Sequence, residues 1–272
     1  MMSPTIAIES QVLATARDAA REAGRLALRW FRPGQGTAAE ISYKHGGSPV
    51  TEADLAVDTF LKNRLGAAAP AYGWLSEETV DDSTRLTRPM AWVVDPIDGT
   101  RAFARGDADW TVAIGIVADG VPVAGFVFAP VSDEMFEMTP GDVSRCNGEP
   151  ISPTGRDTLA DAFVAGPRPL LDQLGAGPVP FRQAPRIHSL AFRMVRVADG
   201  TVDAGLAGEK AHDWDLAAAH AILAGAGATL VGASGQVPTY NRPTTIHEPL
   251  AAGCERLARD LAARLASPGR HR

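Results

Sequence analysis

The sequence predicts an α/β (α+β) fold arranged as two coupled lobes, and three observations support this. Two N-terminal stretches repeat apolar residues at steps of three and four, which is typical of amphipathic helices. Four strand-like runs between residues 91 and 138 then resemble an antiparallel meander. From about residue 156, helical and strand-like segments alternate, which indicates helices packed on a smaller sheet. We therefore expect an N-terminal lobe at residues 1–155 and a C-terminal lobe at residues 156–272.

The first lobe begins with its two helices. Residues 8–31 form the first amphipathic stretch, which should cover a sheet and end before Pro33. Residues 53–65 repeat the helical spacing, and Asp54 lies in the first turn of that helix. The acid at a helix start is a common capping choice, so its position alone does not assign it a chemical role.

The strands of the first lobe and the elements of the second follow in order. Asp119 and Gly120 form a hairpin signal between two of the strands. The predicted strands of the first lobe are residues 91–94, 111–118, 123–129 and 134–138. After a Pro/Gly-rich stretch at residues 166–180, the second lobe is predicted to contain a helix at 189–198, a strand at 202–207, a helix at 215–226, a short strand and a final helix.

Composition limits the partners. The 272 residues are 45% hydrophobic and 21% charged, which is typical of a globular protein with a sizeable core. The net charge is -6 and the basic residues are scattered, so a nucleic-acid polymer is not expected as a partner. We find no signal peptide and no apolar run of membrane-spanning length, which favours a cytoplasmic protein without a membrane partner.

Cysteine and histidine patterns give no sign of a zinc site. Cys146 and Cys254 lack CxxC spacing and are expected to be free thiols. Four histidines are scattered without a partner pattern, and surface or helix-capping positions are predicted for them: His188, His212, His220 and His247.

Residues 92–100 carry the strongest chemical signal. A buried-type strand ends there in Asp95, Pro96, Asp98, Gly99 and Thr100 within a few residues. Pro96 fixes one backbone dihedral and Gly99 permits a tight turn, so the carboxylates can face one point while backbone amides face an anion. By itself the run could also be an ordinary turn, because Asp, Pro and Gly all favour turns.

Further acids make a magnesium site the better interpretation. Oxygen ligands without Cys or His favour Mg²⁺. Two such ions ~4 Å apart repel each other by on the order of 16 kcal/mol at an effective dielectric of 20, so several carboxylates must surround them. Four negative charges would neutralise two ions, and the acids that supply them are Glu77, Asp95, Asp98 and Asp215.

Three motifs resemble those of the inositol monophosphatase family in order and spacing. They are Ser-Glu-Glu at residues 76–78, Asp-Pro-Ile-Asp-Gly-Thr at residues 95–100 and Trp-Asp-Leu-Ala-Ala at residues 214–218. The resemblance extends over residues 44–253. It implies a layered α/β/α/β/α fold, two or three Mg²⁺ ions, a small phosphate monoester as substrate and frequent homodimers.

The resemblance also implies residue roles. Glu77, Asp95 and the Ile97 carbonyl would bind a first metal, and Asp95, Asp98 and Asp215 a second. The amides of Gly99 and Thr100 would hold the phosphate, and Thr100 with Asp54 would orient and deprotonate the attacking water. The implied catalytic residues are therefore Asp54, Glu77 and Thr100.

The substrate is less closely specified. Inositol phosphatases of this family commonly carry Asn-Phe after the Asp-Gly-Thr-x unit, whereas this chain has Arg101 and then Ala-Phe. Their glutamate seven residues before the Trp-Asp aspartate is replaced by Gly208, with Glu209 one place away. The pattern resembles the 3'(2'),5'-bisphosphate nucleotidases and the histidinol-phosphate phosphatases. We expect 3'-phosphoadenosine 5'-phosphate or inositol 1-phosphate as substrate, and the candidate substrate contacts are Lys44, Arg101, Glu209 and Lys210.

Three rival functions remain open at this stage. A phosphatase that forms an aspartyl-phosphate usually needs two aspartates separated by one residue, whereas Asp95 and Asp98 are separated by two. A glycosidase with paired carboxylates would leave Gly99 and Thr100 unexplained. A non-catalytic protein that binds inositol phosphates or nucleotides is the rival from another class, and the intact acids argue against it.

Overall fold

The computed structural model describes residues 8–43 and 49–266. Its helices are α1 (Ser10–Ala27), α2 (Glu52–Ala68), α3 (Thr100–Arg105), α4 (Arg168–Gly175), α5 (Leu190–Ala198), α6 (Asp213–Ala226) and α7 (Glu255–Ala266). Its strands are β1 (Ile41–Tyr43), β2 (Pro49–Thr51), β3 (Gly73–Ser76), β4 (Met90–Asp98), β5 (Thr111–Ala118), β6 (Val121–Ala129), β7 (Glu134–Met138), β8 (Arg145–Cys146), β9 (Glu149–Pro150), β10 (Phe163–Ala165), β11 (Arg182–Gln183), β12 (Ala204–Ala207), β13 (Ala211–His212), β14 (Thr229–Gly232), β15 (Ile246–His247) and β16 (Leu250–Gly253).

Two sheets and three helical layers alternate. A seven-stranded sheet has the order β3-β4-β5-β6-β7-β8-β9, and a five-stranded sheet has the order β11-β10-β12-β16-β14. Helices α1 and α2 cover one face of the larger sheet, whereas α5 and α6 lie between the two sheets. Helix α7, with α4 against it, covers the outer face of the smaller sheet. The predicted α/β/α/β/α layering is confirmed.

Alternating side chains of the central strands fill two separate cores. Trp92 and Val94 of β4 pack in the cluster beneath α1 and α2, while Val93 packs in the cluster that contains α6. This alternation is the ordinary period of two in a strand. Gly125 of β6 permits the close approach of α6, because a Cβ at that position would lie 2.1 Å from the Ala218 carbonyl oxygen.

The predicted meander is confirmed, but β4 is longer than expected. Strands β4 to β7 pair antiparallel in sequence order, and the hairpin at Asp119 and Gly120 has positive φ angles of 49° and 79°. Strand β4 continues through Asp98 because Asp95 pairs with Ala113 and Asp98 pairs with Thr111. The register shifts between the two aspartates, so the motif lies within the sheet and not in a turn that follows it.

The helices differ from the prediction mainly at their ends. Helix α1 ends at Ala27, since the next backbone bonds tighten to three-residue spacing before Pro33. Helix α4 lies within the Pro/Gly-rich stretch at residues 166–180, for which no helix was predicted, and Pro169 is tolerated in its first turn. Helix α6 begins two residues earlier than expected, at Asp213.

Some predictions on single residues are confirmed and others are wrong. Both cysteines are free thiols, and His212 is the N-cap residue of α6. The surface or capping positions predicted for His220 and His247 are wrong, because their side chains are buried against Tyr240 and Asp213 respectively. Lys44 lies outside the described residues.

Two further expectations concern membrane-spanning helices and the boundary between the lobes. Within residues 8–43 and 49–266, each helix is too short or too polar to cross a lipid bilayer. The lobe boundary at residue 155 stays a prediction, and α5 and α6 from the second predicted lobe pack directly on the sheet of the first.

Candidate active site

One cavity of about 240 Å³ collects most of the predicted site residues at the end of β4. It is lined by Pro49, Glu77, Asp95, Asp98, Gly99, Thr100, Arg101, Arg186, His188 and Asp215. We call the four acids Glu77, Asp95, Asp98 and Asp215 the acidic floor, and the two arginines Arg101 and Arg186 the arginine rim. The acids come from β4, from the residue after β3 and from the first turn of α6.

The bulge in β4 explains how Asp95 and Asp98 face the same cavity. In a regular strand, residues three apart point to opposite faces. The register shift between them inserts extra backbone and redirects one side chain. Carboxylate oxygens of Asp95, Asp98 and Asp215 consequently lie within 4.8 Å of one another.

Asp98 is held from one side by the start of α5. The Ser189 hydroxyl donates to Asp98 Oδ2 at 2.5 Å, and the Ala191 amide donates to the same oxygen at 2.6 Å. The Leu190 amide reaches Oδ1 at 3.2 Å. Burial raises the pKa of Asp98 to about 6, despite these three donors that favour its charged form. The more weakly bonded Oδ1 is the oxygen with capacity for a cation.

Asp95 has a buried carboxylate oxygen whose hydrogen-bonding capacity is not satisfied by the described residues. Its Oδ1 accepts the Ile97 amide at 3.1 Å, but its buried Oδ2 has no hydrogen-bond partner within the described residues. Burial, together with the charges of the other floor acids, raises its pKa well above the ordinary value. A buried carboxylate oxygen without a donor is a costly arrangement that a bound cation would relieve.

Asp215 and Glu77 are placed by backbone contacts of their own. Asp215 Oδ2 accepts the His212 amide at 2.7 Å in a capping box at the start of α6. The Trp214 side chain stacks on the His212 ring, with centroids 4.4 Å apart. The Glu77 amide donates to the Val94 carbonyl of β4 at 3.3 Å, which fixes Glu77 next to that strand.

Thr100 and Asp54 form a hydrogen-bonded pair beside the floor. Thr100 Oγ1 lies 3.1 Å from Asp54 Oδ1 and 3.1 Å from the Ile97 carbonyl. Thr51 holds the other Asp54 oxygen through its amide at 2.8 Å and its hydroxyl at 2.5 Å, in the capping box of α2. Burial raises the Asp54 pKa to about 6, with the Glu77 charge adding to the effect. A carboxylate titrating there can accept a proton near neutral pH.

Gly99 meets two requirements at once. Its φ of 94° is a left-handed conformation that other residues adopt only with strain. A Cβ there would also lie 3.1 Å from the Asp109 carbonyl oxygen and 3.2 Å from the Ser189 nitrogen. Any other residue at this position would strain the turn that carries the Gly99 and Thr100 amides.

The donor set fits a hard divalent cation. The floor offers carboxylate oxygens and the nearby Ile97 carbonyl, with no sulfur, and this set matches Mg²⁺. Positive charge would also offset the repulsion that raises the pKa of Asp95. Asp107, Asp109 and His188 form a second close group, but hydrogen bonds to one another and to Arg105 already join them.

The arginine rim contrasts with the floor beside it. Arg101 and Arg186 line the same cavity as four acids, yet neither guanidinium forms a hydrogen bond or ion pair within the described residues. Exposed arginine pairs readily with carboxylates, and its planar fork also matches phosphate. The rim is available for an anionic group of a ligand.

His188 lies beside the rim with both ring nitrogens occupied. Arg105 can only donate, so His188 Nε2 accepts from it at 2.8 Å and Nδ1 donates to Asp109 at 2.8 Å. Neither Arg186 nor His188 was singled out as a site residue from the sequence. The one available signal was their position just before a predicted helix with Ser189 at its start.

The remaining residues predicted to contact the substrate lie outside the cavity. Glu209 and Lys210 are exposed in the turn between β12 and β13 and do not line the cavity. Lys210 has a φ of 76°, which is typical of such a turn. Their assignment as substrate contacts stays a prediction.

Comparison with known proteins agrees with this architecture. The family model described as the inositol monophosphatase family matches residues 8–267. Inositol-1-monophosphatase ImpA of Mycolicibacterium smegmatis is 31% identical over 208 residues, which cover 71% of this chain and 72% of that protein. The 3'(2'),5'-bisphosphate nucleotidase CysQ of Shigella flexneri is 31% identical over 199 residues, or 70% and 78% of the two chains.

A solved structure extends the likeness to the whole fold. The extragenic suppressor protein suhB from Bartonella henselae has a TM-score of 0.80 and 26% identity, and the match covers 94% of this chain and 98% of that one. Some alignments to curated relatives are shorter and span 57% of the relative's length.

Proposed function

The chain belongs to the inositol monophosphatase family, and from that premise we propose that it is a Mg²⁺-dependent phosphatase for a small phosphate monoester that carries a second anionic group. The best candidate is a 3'(2'),5'-bisphosphate nucleotide such as 3'-phosphoadenosine 5'-phosphate. The observation that carries the proposal is the joint lining of one cavity by the acidic floor and by the arginine rim, which has no ionic partner among residues 8–43 and 49–266.

The residues of the floor would hold the metal ions. Glu77, Asp95 and the Ile97 carbonyl would bind one ion, and Asp95, Asp98 and Asp215 another. When bound, such ions stabilise the charge of the phosphoryl group and lower the pKa of water. The buried Asp95 Oδ2, which accepts no hydrogen bond from residues 8–43 or 49–266, supports this assignment.

The chain's own groups would orient the phosphate and the attacking water. The Gly99 and Thr100 amides would bind phosphate oxygens in the turn that the positive φ of Gly99 creates. Thr100 would accept a hydrogen bond from the water and pass its own proton toward Asp54 Oδ1, 3.1 Å away. Asp54 would then store the proton, and its pKa of about 6 suits that role.

The arginine rim would bind the second anionic group. Two guanidinium groups without carboxylate partners in the described part of the chain fit a phosphate better than a neutral hydroxyl ring. Histidinol phosphate carries an ammonium group, which the two arginines would repel. The rim therefore favours a bisphosphate over the histidinol ester.

Inositol 1-phosphate is the second candidate substrate. Relatives such as ImpA are named inositol monophosphatases, and the floor does not depend on the nature of the alcohol. That substrate would make no use of the rim, because its ring is neutral. A non-catalytic binding protein is the alternative from another class.

Phosphate release tests these possibilities directly. The chain is assayed with 3'-phosphoadenosine 5'-phosphate, inositol 1-phosphate and histidinol phosphate, each with Mg²⁺ and with excess chelator. We expect magnesium-dependent release with the highest kcat/KM for the bisphosphate. Release from none of the esters would favour the binding protein, and a preference for inositol 1-phosphate would remove the proposed role of the rim.

We further propose that the protein acts in the cytoplasm as a homodimer. The homodimer rests on the family resemblance. The cytoplasmic location rests on the small, soluble phosphate ester proposed as substrate.

A further inference from the structure

A buried acid outside the cavity, Asp213, has no part in the proposed chemistry. Its side chain is 1% exposed in the first turn of α6. Asp213 Oδ1 lies 2.7 Å from His247 Nε2, and Oδ2 accepts the Asn241 amide at 2.7 Å. The Asp213 amide donates in turn to the Thr245 carbonyl at 2.9 Å. Asp213 thus fastens α6 to the segment at residues 240–247.

That segment is fastened on its other side to the strand before Glu77. Arg85 is fully buried, and it donates to the Asn241 side chain at 2.8 Å and to the Arg242 carbonyl at 3.0 Å. The Arg85 backbone packs so closely on Gly73 of β3 that a Cβ on Gly73 would lie 2.6 Å from the Arg85 Cα. Strand β3 leads directly into Glu77.

The two attachments meet at Asn241, whose amide donates to Asp213 and whose side chain accepts from Arg85. Moving a buried hydrogen-bonded group away from its partner would leave a polar atom unsatisfied, which costs free energy. Such groups therefore hold the elements that they join in one arrangement. Asp215 lies two residues after Asp213 in the same helical turn, and Glu77 directly follows β3. The hydrogen-bonded chain from Arg85 through Asn241 to Asp213 therefore links the two elements that carry Glu77 and Asp215.

We infer that Asp213 is a positioning residue for the metal site, holding the first turn of α6, and so Asp215, in place relative to β3, the strand that precedes Glu77. The inference rests on the proposed function, because it requires that the floor binds divalent cations. Groups that orient metal ligands from behind typically change metal affinity by about 10- to 100-fold when removed.

The test measures Mn²⁺ binding by the loss of the free-ion electron paramagnetic resonance signal, with the thermal midpoint Tm of each variant measured in chelator. Asp213→Ala should weaken Mn²⁺ binding by about tenfold. The matched control is Asp203→Ala, which removes another buried acid that bonds Thr154 and the Phe163 amide on the other sheet. We expect the control to lower Tm and to leave Mn²⁺ affinity within about twofold of the unmodified chain.

A second pair covers the case in which Asp213→Ala does not fold. His247→Gln retains a side-chain N–H donor for Asp213, whereas His247→Leu removes it. We expect the glutamine variant to bind Mn²⁺ within about threefold of the unmodified chain and the leucine variant to lose about tenfold.

The outcomes separate the two proposals. Equal Mn²⁺ affinity in folded Asp213→Ala and in the unmodified chain, or equal losses in Asp213→Ala and Asp203→Ala, would overturn the positioning role. Absence of Mn²⁺ binding by the unmodified chain would instead overturn the proposed metal site itself.

Discussion

The acidic floor and the arginine rim share one cavity but differ in how the protein treats their charges. The floor acids are buried or partly buried and crowded, and burial raises the pKa of Asp95 and Asp98. The rim arginines are exposed and have no ionic partner within the described residues, although acids lie beside them. The difference supports the proposal of two kinds of ligand, cations at the floor and an anionic group at the rim.

The largest expected effect concerns the floor. Asp95→Asn removes the carboxylate assigned to both metal ions, so we expect kcat to fall by at least ~10³-fold. Its Tm in chelator should be unchanged or higher, because the lost charge was buried beside other acids. Stopped assays of phosphate release with thermal melts measure both effects. Retention of more than a tenth of the activity would show that the floor is not the reaction centre.

The next effect separates proton transfer from metal binding. Asp54→Asn should lower kcat by about 10²- to 10³-fold while Mn²⁺ affinity stays near its original value, because Asp54 acts on water through Thr100. Steady-state kinetics with a Mn²⁺ titration make the measurement. The control is Glu52→Gln, an exposed acid in the same helical turn. Parallel losses of kcat and metal affinity would place Asp54 in the floor.

The rim should affect substrate choice more than rate. Arg186→Gln should lower kcat/KM for the bisphosphate by about 10- to 100-fold, and by less than about threefold for inositol 1-phosphate, because only the former offers a second phosphate. Arg168→Gln, an exposed arginine on α4 that pairs with Asp172, is the control. Equal losses on the two substrates would assign Arg186 to the hydrolysed phosphate instead.

The smallest expected effect concerns the stability of the fold and the buried side chain of His220. Burial lowers the pKa of His220 from 6.5 to about 4. Below pH 6.5 the unfolded chain binds a proton at His220 that the folded chain does not bind until about pH 4. The contribution of neutral His220 to the free energy of unfolding is therefore complete above pH 6.5 and declines as the pH falls. We expect His220→Gln to reduce the fall in the free energy of unfolding between pH 6.5 and 5 by about 2 kcal/mol.

Urea unfolding of both proteins at these two pH values measures that difference. The floor acids titrate alike in the two proteins. The difference between the pH dependences of their free energies of unfolding therefore reports the contribution of His220. An identical pH dependence of the two unfolding free energies would show that His220 does not resist protonation in the folded state.

The floor was largely predictable from sequence, and the rim only in part. Asp95, Asp98 and Gly99 belong to one short run whose chemistry and turn preference can be recognised locally. Arg101 follows directly and was also found. The bulge between Asp95 and Asp98 was not foreseen, because register depends on the pairing with β5.

The contribution of the α5 start depends on tertiary structure alone. Ser189 meets Asp98 from 91 positions away, and that contact brings Arg186 and His188 to the cavity. Isolated histidines also gave no pattern, so the buried pairing of His247 with Asp213 could not be predicted. Spacing along the chain does not record which distant polar groups satisfy each other in the interior.

Anomalous diffraction from crystals grown with Mn²⁺ would show whether the acidic floor binds divalent cations. We expect at least one strong peak within ligand distance, about 2 to 2.5 Å, of oxygens from both Asp95 and Asp98, with Asp215 or Glu77 completing the site. Crystals that bind Mn²⁺ elsewhere on the chain, with none between these carboxylates, would contradict it.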